Sequence, residues 1–276
     1  MEVHYPAPTS VLGMRRIALK IAYDGTLFHG QARQPGVPTV EGEILTALAR
    51  ARIVRDARVA RFQSASRTDR GVSALGNVVA FDTGLAAQAV GRAFNAKARG
   101  VWAWAAADVT EDFNARRALS RWYRYMVTLD HDPGRLQEAL RLFEGEHDFR
   151  NFTRDRERTI VRIDSATATR TDAAVVMDFR ARSFRWNLVR RIVAASLQFE
   201  SRTRTLFDLE RALRPRTRAD FGLAPAEPLV LVDVSYDIPF EPLTDPTTLA
   251  RVRAFWEDRS RASGFARDLL ARFERA

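Results

Sequence analysis

The segment best suited to chemistry is the polar loop from Ser64 to Val79, which reads SASRTDRGVSALGNVV. Asp69 lies in this loop between Arg67 and Arg70, and neighbouring cations favour the ionised form of a carboxyl group. A carboxylate that stays ionised can act as a nucleophile or as a general base. The alternative is an aspartate that caps the turn, which composition alone favours because aspartates are common in turns.

Composition excludes several other kinds of active site. The chain has no cysteine, which removes disulfides, thiol nucleophiles and thiolate-bound metals. Its four histidines are scattered without HExxH or HxH spacing, and neither GxGxxG nor GxxxxGK occurs. Lysine occurs only as Lys20 and Lys97, and neither lies in a motif that supports Schiff-base or P-loop chemistry.

The charge of the chain favours a polyanionic partner. Its 276 residues carry 44 Lys+Arg against 34 Asp+Glu, a formal charge of +10. Such an excess is typical of proteins that bind nucleic acid. Genome composition or heat adaptation would explain why arginine replaces lysine, but neither explains the sign of the total.

No segment has the pattern of a membrane span or a secretory signal. Residues 1–14 lack a continuous apolar region, and nowhere do about 18 apolar residues run uninterrupted. We therefore expect a cytoplasmic protein without a membrane partner. Because Met14 directly precedes the first strand pattern, residues 1–14 are predicted to be an N-terminal extension, and the true start is either Met1 or Met14.

The elements that position these residues follow a repeated order. The first part of the chain predicts strands at Arg16–Tyr23, Arg58–Ser64, Asn77–Asp82 and Val101–Val109, with helices from the cap Thr39 to about Val54 and from about Ala86 to Lys97. The second part predicts strands at Arg121–Leu129, Thr159–Thr169, Ala173–Arg180 and Leu229–Tyr236, with helices near Gly134–Phe143, Arg185–Phe199 and Asp208–Leu213. Both orders are βαββαβ, which indicates an α+β, tandem ferredoxin-like fold with antiparallel sheets and helices on one face.

This order predicts four parts: the extension over 1–14, ferredoxin-like halves over 15–112 and 113–240, and a charged helical tail over 241–276. The two sheets are expected to join into one broad sheet with an RNA-binding cleft between the halves. The face without helices would then be open for RNA. Three aromatic residues of the tail, Phe255, Trp256 and Phe265, have helical spacing and are expected to pack against the body.

Seven segments follow one another in a recognisable order between about residue 16 and residue 237. They are YDGT from Tyr23 with Phe28, Gly30 and Gln34-Pro35, TVE from Thr39, SRTDRGVSA from Ser66, DFNAR from Asp112, RWYRY from Arg121, GEHDF from Gly145 with Phe152, and NLVR from Asn187 with Phe184. They resemble, in the same order, the YDGTxFxGxQxQP, first-helix, GRTDAGVHA, DFHAR, RRYRY, GxHDFxxF and FxxNMVR motifs of the TruA family of tRNA pseudouridine synthases.

The resemblance implies an isomerase that converts uridine to pseudouridine in the anticodon stem-loop of tRNA, at positions 38, 39 and/or 40, without a metal or organic cofactor. Asp69 matches the family's nucleophile, Tyr123 the tyrosine that stacks on the target uracil, and Arg190 the basic residue that pairs with the nucleophile. Arg67 is expected to fill the gap that a flipped-out uridine leaves, with a phosphate contact as the alternative. The family analogy also implies a homodimer.

Three positions of the signature loop depart from the family pattern: Ser66 replaces Gly, Arg70 replaces Ala and Ser73 replaces His. The arginine-rich stretches 150–170 and 202–218 are candidates for contacts with tRNA phosphates. An alternative function is a non-catalytic tandem RRM-like RNA-binding or chaperone protein. Asp69 argues against it, because an anion in a phosphate-facing cleft weakens RNA binding.

Overall fold

The computed structural model describes residues 13–214 and 217–260. The first half contains β1 (Arg15–Tyr23), α1 (Val40–Arg50), β2 (Gln63–Ser64), β3 (Ser73–Thr83), α2 (Ala87–Asn95) and β4 (Val101–Val109). The second half contains β5 (Ser120–Val127), α3 (Pro133–Arg141), β6 (Gly145–Asp148), β7 (Ile160–Ile163), β8 (Ser165–Arg170), β9 (Val175–Ala181), α4 (Leu188–Glu200), α5 (Leu206–Ala212) and β10 (Leu229–Ser235). Then come β11 (Glu241–Pro242) and α6 (Pro246–Ser260), while most of the predicted extension and the end of the predicted tail lie outside the described residues.

Nine of the eleven strands of the described residues form one mostly antiparallel sheet in the order β11-β4-β1-β3-β10-β5-β9-β8, with β2 paired to β3 beside this path. Strands β6 and β7 form a separate two-stranded sheet. The order β4-β1-β3-β2 in the first half equals the order β10-β5-β9-β8 in the second. In both, the last strand lies beside the first, followed by the third and the second. The predicted α+β class with two ferredoxin-like strand sets in one broad sheet is confirmed.

The two strand sets join where β3 pairs with β10. This pairing is parallel and short, with Val230 opposite Ser73 and Leu231 opposite Ala74. Strand β2 has only two residues and pairs with the far end of β3, at Ala80 and Val79. The near end of β3 is therefore free to accept β10, and the loop between β2 and β3 emerges at the junction of the two halves.

Helices α1 to α4 pack on one face of the sheet, where alternate residues of each strand enter the main core. Its members include Ile17 and Ile21 of β1, Ile44 of α1, Phe94 of α2, Leu136 of α3 and Ile192 of α4, each fully buried. Burial of side chains of this size is the main favourable term in folding. The main core thus runs without interruption beneath both halves.

The opposite face of the first half is covered by α6, so the expectation of a helix-free face for RNA is wrong there. Val252 of α6 is buried with Ala22 and Trp102, and the ring of Phe255 lies 5.8 Å from that of Trp102. The predicted packing of Phe255 against the body is confirmed, while the side chain of Trp256 and all of Phe265 lie outside the described residues. Strand β4, VWAWAAADV, is apolar on both faces, which requires cover on both.

Two predicted strands differ from the structure. Residues 57–61 form turns, because Asp56 Oδ1 accepts hydrogen bonds from the backbone N–H groups of Arg58 and Val59 at 2.7 and 3.1 Å, and Arg61 has a φ of +45°. The strand predicted at Thr159–Thr169 is divided into β7 and β8. Strand β7 turns away to pair with β6, which the sequence did not predict.

The helix starts follow the polar residues that precede them. Thr39 Oγ1 accepts a hydrogen bond from Gly42 N at 3.2 Å and begins α1, as predicted. Asp132 caps α3 with Pro133 at the first helical position, and Thr205 and Asp208 form a reciprocal capping box on α5. Among the described residues, no helix is both long and apolar enough to cross a bilayer.

Candidate active site

Asp69 lies in a tight turn that leads from β2 into β3. The backbone N–H of Val72 donates to the Asp69 carbonyl at 3.1 Å, and Gly71 has a φ of +87°. A turn with a positive φ at its third residue favours glycine there, which explains the Asp-Arg-Gly-Val order. The side chain of Asp69 remains 30% exposed.

The first half anchors this turn through Tyr23, the last residue of β1, and Asn77 of β3. Tyr23 Oη and Thr68 Oγ1 are hydrogen-bonded at 2.8 Å, and Asn77 Nδ2 donates to the Ser66 carbonyl at 2.9 Å. Burial raises the pKa of Tyr23 to about 12, although its hydrogen bonds to Thr68 and Asn77 oppose that shift. A neutral Tyr23 therefore holds the turn.

Gly25 is required by the close approach of two backbones. A Cβ atom at this position would lie 2.1 Å from the carbonyl oxygen of Val72, and the Gly25 N–H donates to Ser73 Oγ at 3.0 Å. Ser73, which replaces the histidine of the family pattern, therefore ties the end of the Asp69 turn to the YDGT segment.

The second half anchors the same turn through Arg121, the first residue of the RWYRY segment. Its guanidinium is buried and donates to Ser66 Oγ at 3.0 Å and to the Ala65 carbonyl at 2.9 Å. It also donates to the carbonyls of Arg116, at 3.1 Å, and Arg182. Arg121 thus joins the Asp69 loop to two segments of the second half, a role that the motif did not reveal.

The carboxylate of Asp69 has two donors from the second half, 117 and 121 residues away in sequence. Arg190 Nη1 lies 3.1 Å from Oδ2, and the Trp186 indole Nε1 lies 3.1 Å from Oδ1. Arg190 is oriented by its Nε, which donates to the Ala224 carbonyl at 2.8 Å, and its side chain is only 13% exposed. A largely buried arginine held in this way is a strong partner for a carboxylate.

Tyr123 on β5 lies between the core and the site. It is 8% exposed, and its ring meets Phe184 edge to face, with centroids 5.2 Å apart. Burial, followed by the neighbouring Tyr23, raises the pKa of Tyr123 well above the usual range for tyrosine, so its phenol is neutral. Tyr125, two residues along the same strand, lies in the core.

Asp69, Arg121, Tyr123, Trp186 and Arg190 line one cleft of about 1080 Å³ at the junction of the two halves. The first half contributes residues of the segments 29–34 and 64–72, and the second contributes Tyr123, Asp155 and the segment 183–190. Leu188 and Val189 form an apolar part of the cleft wall. Several arginines also line the cleft: Arg67, Arg70, Arg116, Arg121, Arg185 and Arg190.

The structure brings the four sequence-predicted site residues, Asp69, Arg67, Tyr123 and Arg190, to this cleft, with Arg67 exposed. The sequence did not predict Trp186 as a site residue, because the FxxNMVR pattern leaves its position unspecified. Among residues 13–214 and 217–260, no group of three or more His, Cys, Asp or Glu side chains could hold a metal ion.

The two arginine-rich stretches are not uniformly available to a ligand. Arg150 and Arg214 form ion pairs with carboxylates, and Arg170 donates to the carbonyls of Leu129 and His131 at 2.6 and 2.8 Å. Arg156 and Arg158 in the first stretch, like Arg211 and Arg218 in the second, have exposed side chains.

Comparison with known proteins gives a consistent result. Residues 139–237 match a family model described as tRNA pseudouridine synthase. A tRNA pseudouridine synthase A from Methanococcoides burtonii is 44% identical over 245 residues, which covers 86% of this chain and 89% of that protein. The Thermococcus sibiricus protein of the same name is 40% identical over 254 residues, with 89% and 94% covered.

A third relative, tRNA pseudouridine synthase A from Pyrococcus horikoshii, is 41% identical over 234 residues, with 80% of this chain and 85% of that protein covered. Among solved structures, a crystal structure of a Cbf5-Nop10-Gar1 complex matches 92% of this chain and 61% of that chain at 11% identity, with a TM-score of 0.38. That last likeness is too distant to support a functional argument.

Proposed function

The chain belongs to the tRNA pseudouridine synthase A family, and from that premise we propose that it isomerises uridine to pseudouridine in the anticodon stem-loop of tRNA with Asp69 as its nucleophile. It is a tRNA-modifying isomerase, as its relatives are named. The target positions proposed are 38, 39 and/or 40. The proposal needs no metal or organic cofactor.

The observation that carries the proposal is the ion pair between Asp69 Oδ2 and Arg190 Nη1 at 3.1 Å inside the cleft. It joins a loop of the first half to a helix of the second half. A guanidinium that donates to a carboxylate fixes the orientation of the carboxylate oxygens, and a nucleophile must be oriented towards the atom that it attacks. Turn capping alone would not need a partner from the other half.

The reaction has a simple atom balance. The N1–C1′ bond of uridine breaks, the uracil rotates, and a C5–C1′ bond forms, while C5 loses a proton and N1 gains one. No water is consumed and no redox partner is needed. Asp69 can begin this sequence by attacking C1′ of the ribose, by attacking C6 of the base, or by removing a proton from the ribose, and all three remain open.

Tyr123 is proposed to stack on the target uracil. Its ring is fixed by the edge-to-face contact with Phe184 and lines the same cleft as Asp69. Because its raised pKa keeps the phenol neutral, stacking and hydrogen bonding suit it better than removal of the C5 proton.

Arg67 is proposed to occupy the space that the target uridine leaves. A paired base is out of reach within a stem, so it must be flipped out at a cost of a few kcal/mol. Arg67 is exposed, lines the cleft and lies two residues before Asp69, which suits a side chain that enters the helix as the uridine leaves. A phosphate contact by Arg67 is the competing role.

We propose that both halves bind the tRNA substrate. The halves over 15–112 and 113–240 supply the two walls of the cleft, and exposed arginines of the stretches 150–170 and 202–218 contact tRNA phosphates. The family analogy also suggests a homodimer. Light scattering would test the dimer by a mass twice that of the 31.2 kDa chain.

The test uses an unmodified tRNA transcript labelled with tritium at uridine C5. Wild-type protein should release the label as C5 loses its proton, while Asp69→Ala should release none and still bind the transcript. Equal release by both proteins would contradict the nucleophile assignment. Release by neither, with binding intact, would favour the non-catalytic RNA-binding alternative.

The proposed target positions are tested with three variants of this transcript. Each variant keeps uridine at only one of positions 38, 39 and 40 and carries cytidine at the other two. Label release from at least one of these transcripts is expected. Release that persists when all three positions carry cytidine would show that the target lies elsewhere in the tRNA.

A further inference from the structure

Trp186 contacts the proposed nucleophile directly, although the FxxNMVR pattern leaves its position unspecified. Its indole Nε1–H donates to Asp69 Oδ1 at 3.1 Å, while Arg190 Nη1 donates to Oδ2 at 3.1 Å. Each oxygen of the carboxylate therefore has its own donor. Both donors come from one stretch of five residues at the start of α4.

The position of Trp186 is fixed by the loop that precedes β7. Its backbone N–H donates to Asp155 Oδ2 at 3.2 Å. Its carbonyl accepts from Arg154 N at 3.2 Å and from Thr153 Oγ1 at 3.0 Å. The guanidinium of Arg154 also lies over the indole ring, 5.3 Å from its centroid. Three hydrogen bonds and one cation–π contact therefore hold an aromatic residue that is 53% exposed.

The backbone turns sharply between the two donors. Asn187 has a φ of +65°, in the left-handed region, and α4 begins directly after it. This turn takes Trp186 out of the path of the helix, so that its indole approaches Asp69 separately from Arg190, which lies in the first turn of α4. Asparagine is one of the few residues other than glycine that adopt this conformation readily.

We propose that Trp186 is a positioning residue for Asp69, and that its indole N–H fixes the rotation of the carboxylate so that one oxygen meets the uridine. This role rests on the proposed function of Asp69. The terminal torsion of an aspartate is broad, so a single ion pair leaves the carboxylate free to swing. A second donor on the other oxygen removes that freedom, and it adds no second positive charge that would weaken the nucleophile.

The central variant is Trp186→Phe, which removes the N–H donor and keeps an aromatic ring. A hydrogen bond to a charged group is lost, so the single-turnover rate at saturating tRNA should fall roughly 10- to 100-fold. The Kd for tRNA should change by less than about twofold, because the exposed ring surface remains. A structural defect would instead lower the melting temperature together with the rate.

Trp122→Phe is the matched control. The Trp122 indole also donates to an aspartate, Asp178 Oδ1 at 2.7 Å, but Trp122 does not line the cleft. The control loses the same kind of hydrogen bond outside the site and should keep the wild-type rate. A rate in Trp186→Phe equal to that of the control would overturn the proposal.

A spectroscopic readout tests the contact without activity. In protein labelled with ¹⁵N at tryptophan, the indole signal of Trp186 is identified by its loss in Trp186→Phe. That signal should move upfield in Asp69→Ala, because the N–H loses its acceptor. A signal that does not move would contradict the hydrogen bond and therefore the proposal.

Two further outcomes distinguish this proposal from a stacking role for Trp186 and from a failure of the Asp69 assignment. If Trp186→Phe keeps the wild-type rate while Trp186→Ala loses tRNA affinity, the indole is a stacking surface for a base and the positioning role is wrong. If Asp69→Ala still isomerises tRNA, the proposed nucleophile fails first, whatever Trp186 does. Wild-type activity, an inactive Asp69→Ala and a slow Trp186→Phe together support both proposals.

Discussion

The two halves of the sheet place their strands in the same order, yet they differ at the second strand. In the first half, β2 pairs with β3 at only two positions. In the second half, β8 pairs with β9 at six positions, from Ser165 to Arg170. The short β2 leaves room for β10 on the edge of β3, and the chain between β2 and β3 becomes the Asp69 loop.

As a result of this difference, the two halves contribute different groups to the site. The first half supplies the carboxylate and anchors its loop through Tyr23, Gly25 and Asn77. The second half supplies the two groups that hold the carboxylate, Trp186 and Arg190. Neither half contains a complete site, so the junction between them is as important to function as either fold.

Removing the charged partner from the second half should have the largest effect. Arg190→Ala leaves the Asp69 carboxylate without its cation, and the single-turnover rate should fall roughly 10²- to 10³-fold. Arg191→Ala is the control, because Arg191 is the next residue of α4 and pairs with the exposed Asp220 at 2.9 Å. It should lower the rate less than about fivefold. Equal losses in both variants would show that helix damage, not the ion pair, explains the effect.

Removal of the aromatic ring of Tyr123, which is proposed to stack on the uracil, should have the second-largest effect on the rate. Tyr123→Leu removes the aromatic ring and should slow the reaction roughly tenfold or more. Tyr123→Phe keeps the ring and should slow it less than about tenfold. Because burial raises the pKa of Tyr123 far above neutral, the phenol does not titrate between about pH 6 and pH 9, and the rate profile of Tyr123→Phe should keep its shape there. If Phe is as slow as Leu, the hydroxyl takes part in proton transfer.

The anchoring of the loop by the first half is tested by stability. Gly25→Ala would place Cβ 2.1 Å from the Val72 carbonyl oxygen, so the free energy of unfolding should fall by roughly 1–3 kcal/mol. At Gly84, an added Cβ meets nothing within 4 Å, and Gly84→Ala should change stability by less than about 1 kcal/mol. Urea unfolding followed by circular dichroism measures both. Similar values for the two variants would contradict the close approach.

The smallest effects are expected from single surface arginines. Arg211→Ala and Arg218→Ala should each weaken tRNA binding and reduce the slope of log K against log salt by about one, if each arginine contacts a phosphate. Arg15→Ala is the control, because Arg15 lies outside both arginine-rich stretches and its Nη1 is 3.5 Å from Asp108 Oδ1. An unchanged slope in Arg211→Ala and Arg218→Ala would exclude this stretch from the RNA contact surface.

Much of the fold could be predicted because it depends on local periodicity. The alternation in β1 and β9 and the capping residue Thr39 each specify an element without reference to the rest of the chain. Of the strand predicted at Arg58–Ser64, only Gln63–Ser64 forms, because the Asp56 side chain accepts hydrogen bonds from the backbone N–H groups of residues 58 and 59 and so favours a turn. Such side-chain competition for the backbone leaves little trace in hydrophobicity.

Contacts between residues far apart in sequence could not be predicted, either for the fold or for the site. The cover of one sheet face by α6 was signalled by the apolar residues on both faces of β4, but helical spacing alone does not say where a terminal helix packs. Asp69, Tyr123 and Arg190 could be found by their motif positions. Trp186 could not, because its contact with Asp69 spans 117 residues and depends on a left-handed turn at Asn187.

The proposed reaction depends most directly on the negative charge of Asp69. Asp69→Asn keeps the shape of the side chain and removes that charge, so it leaves the loop and the cleft intact. Single-turnover release of C5 tritium from tRNA should fall roughly 10⁴-fold or more, while the Kd for tRNA stays the same or decreases. Release by Asp69→Asn within tenfold of the wild-type rate would contradict the assignment of Asp69 as the nucleophile.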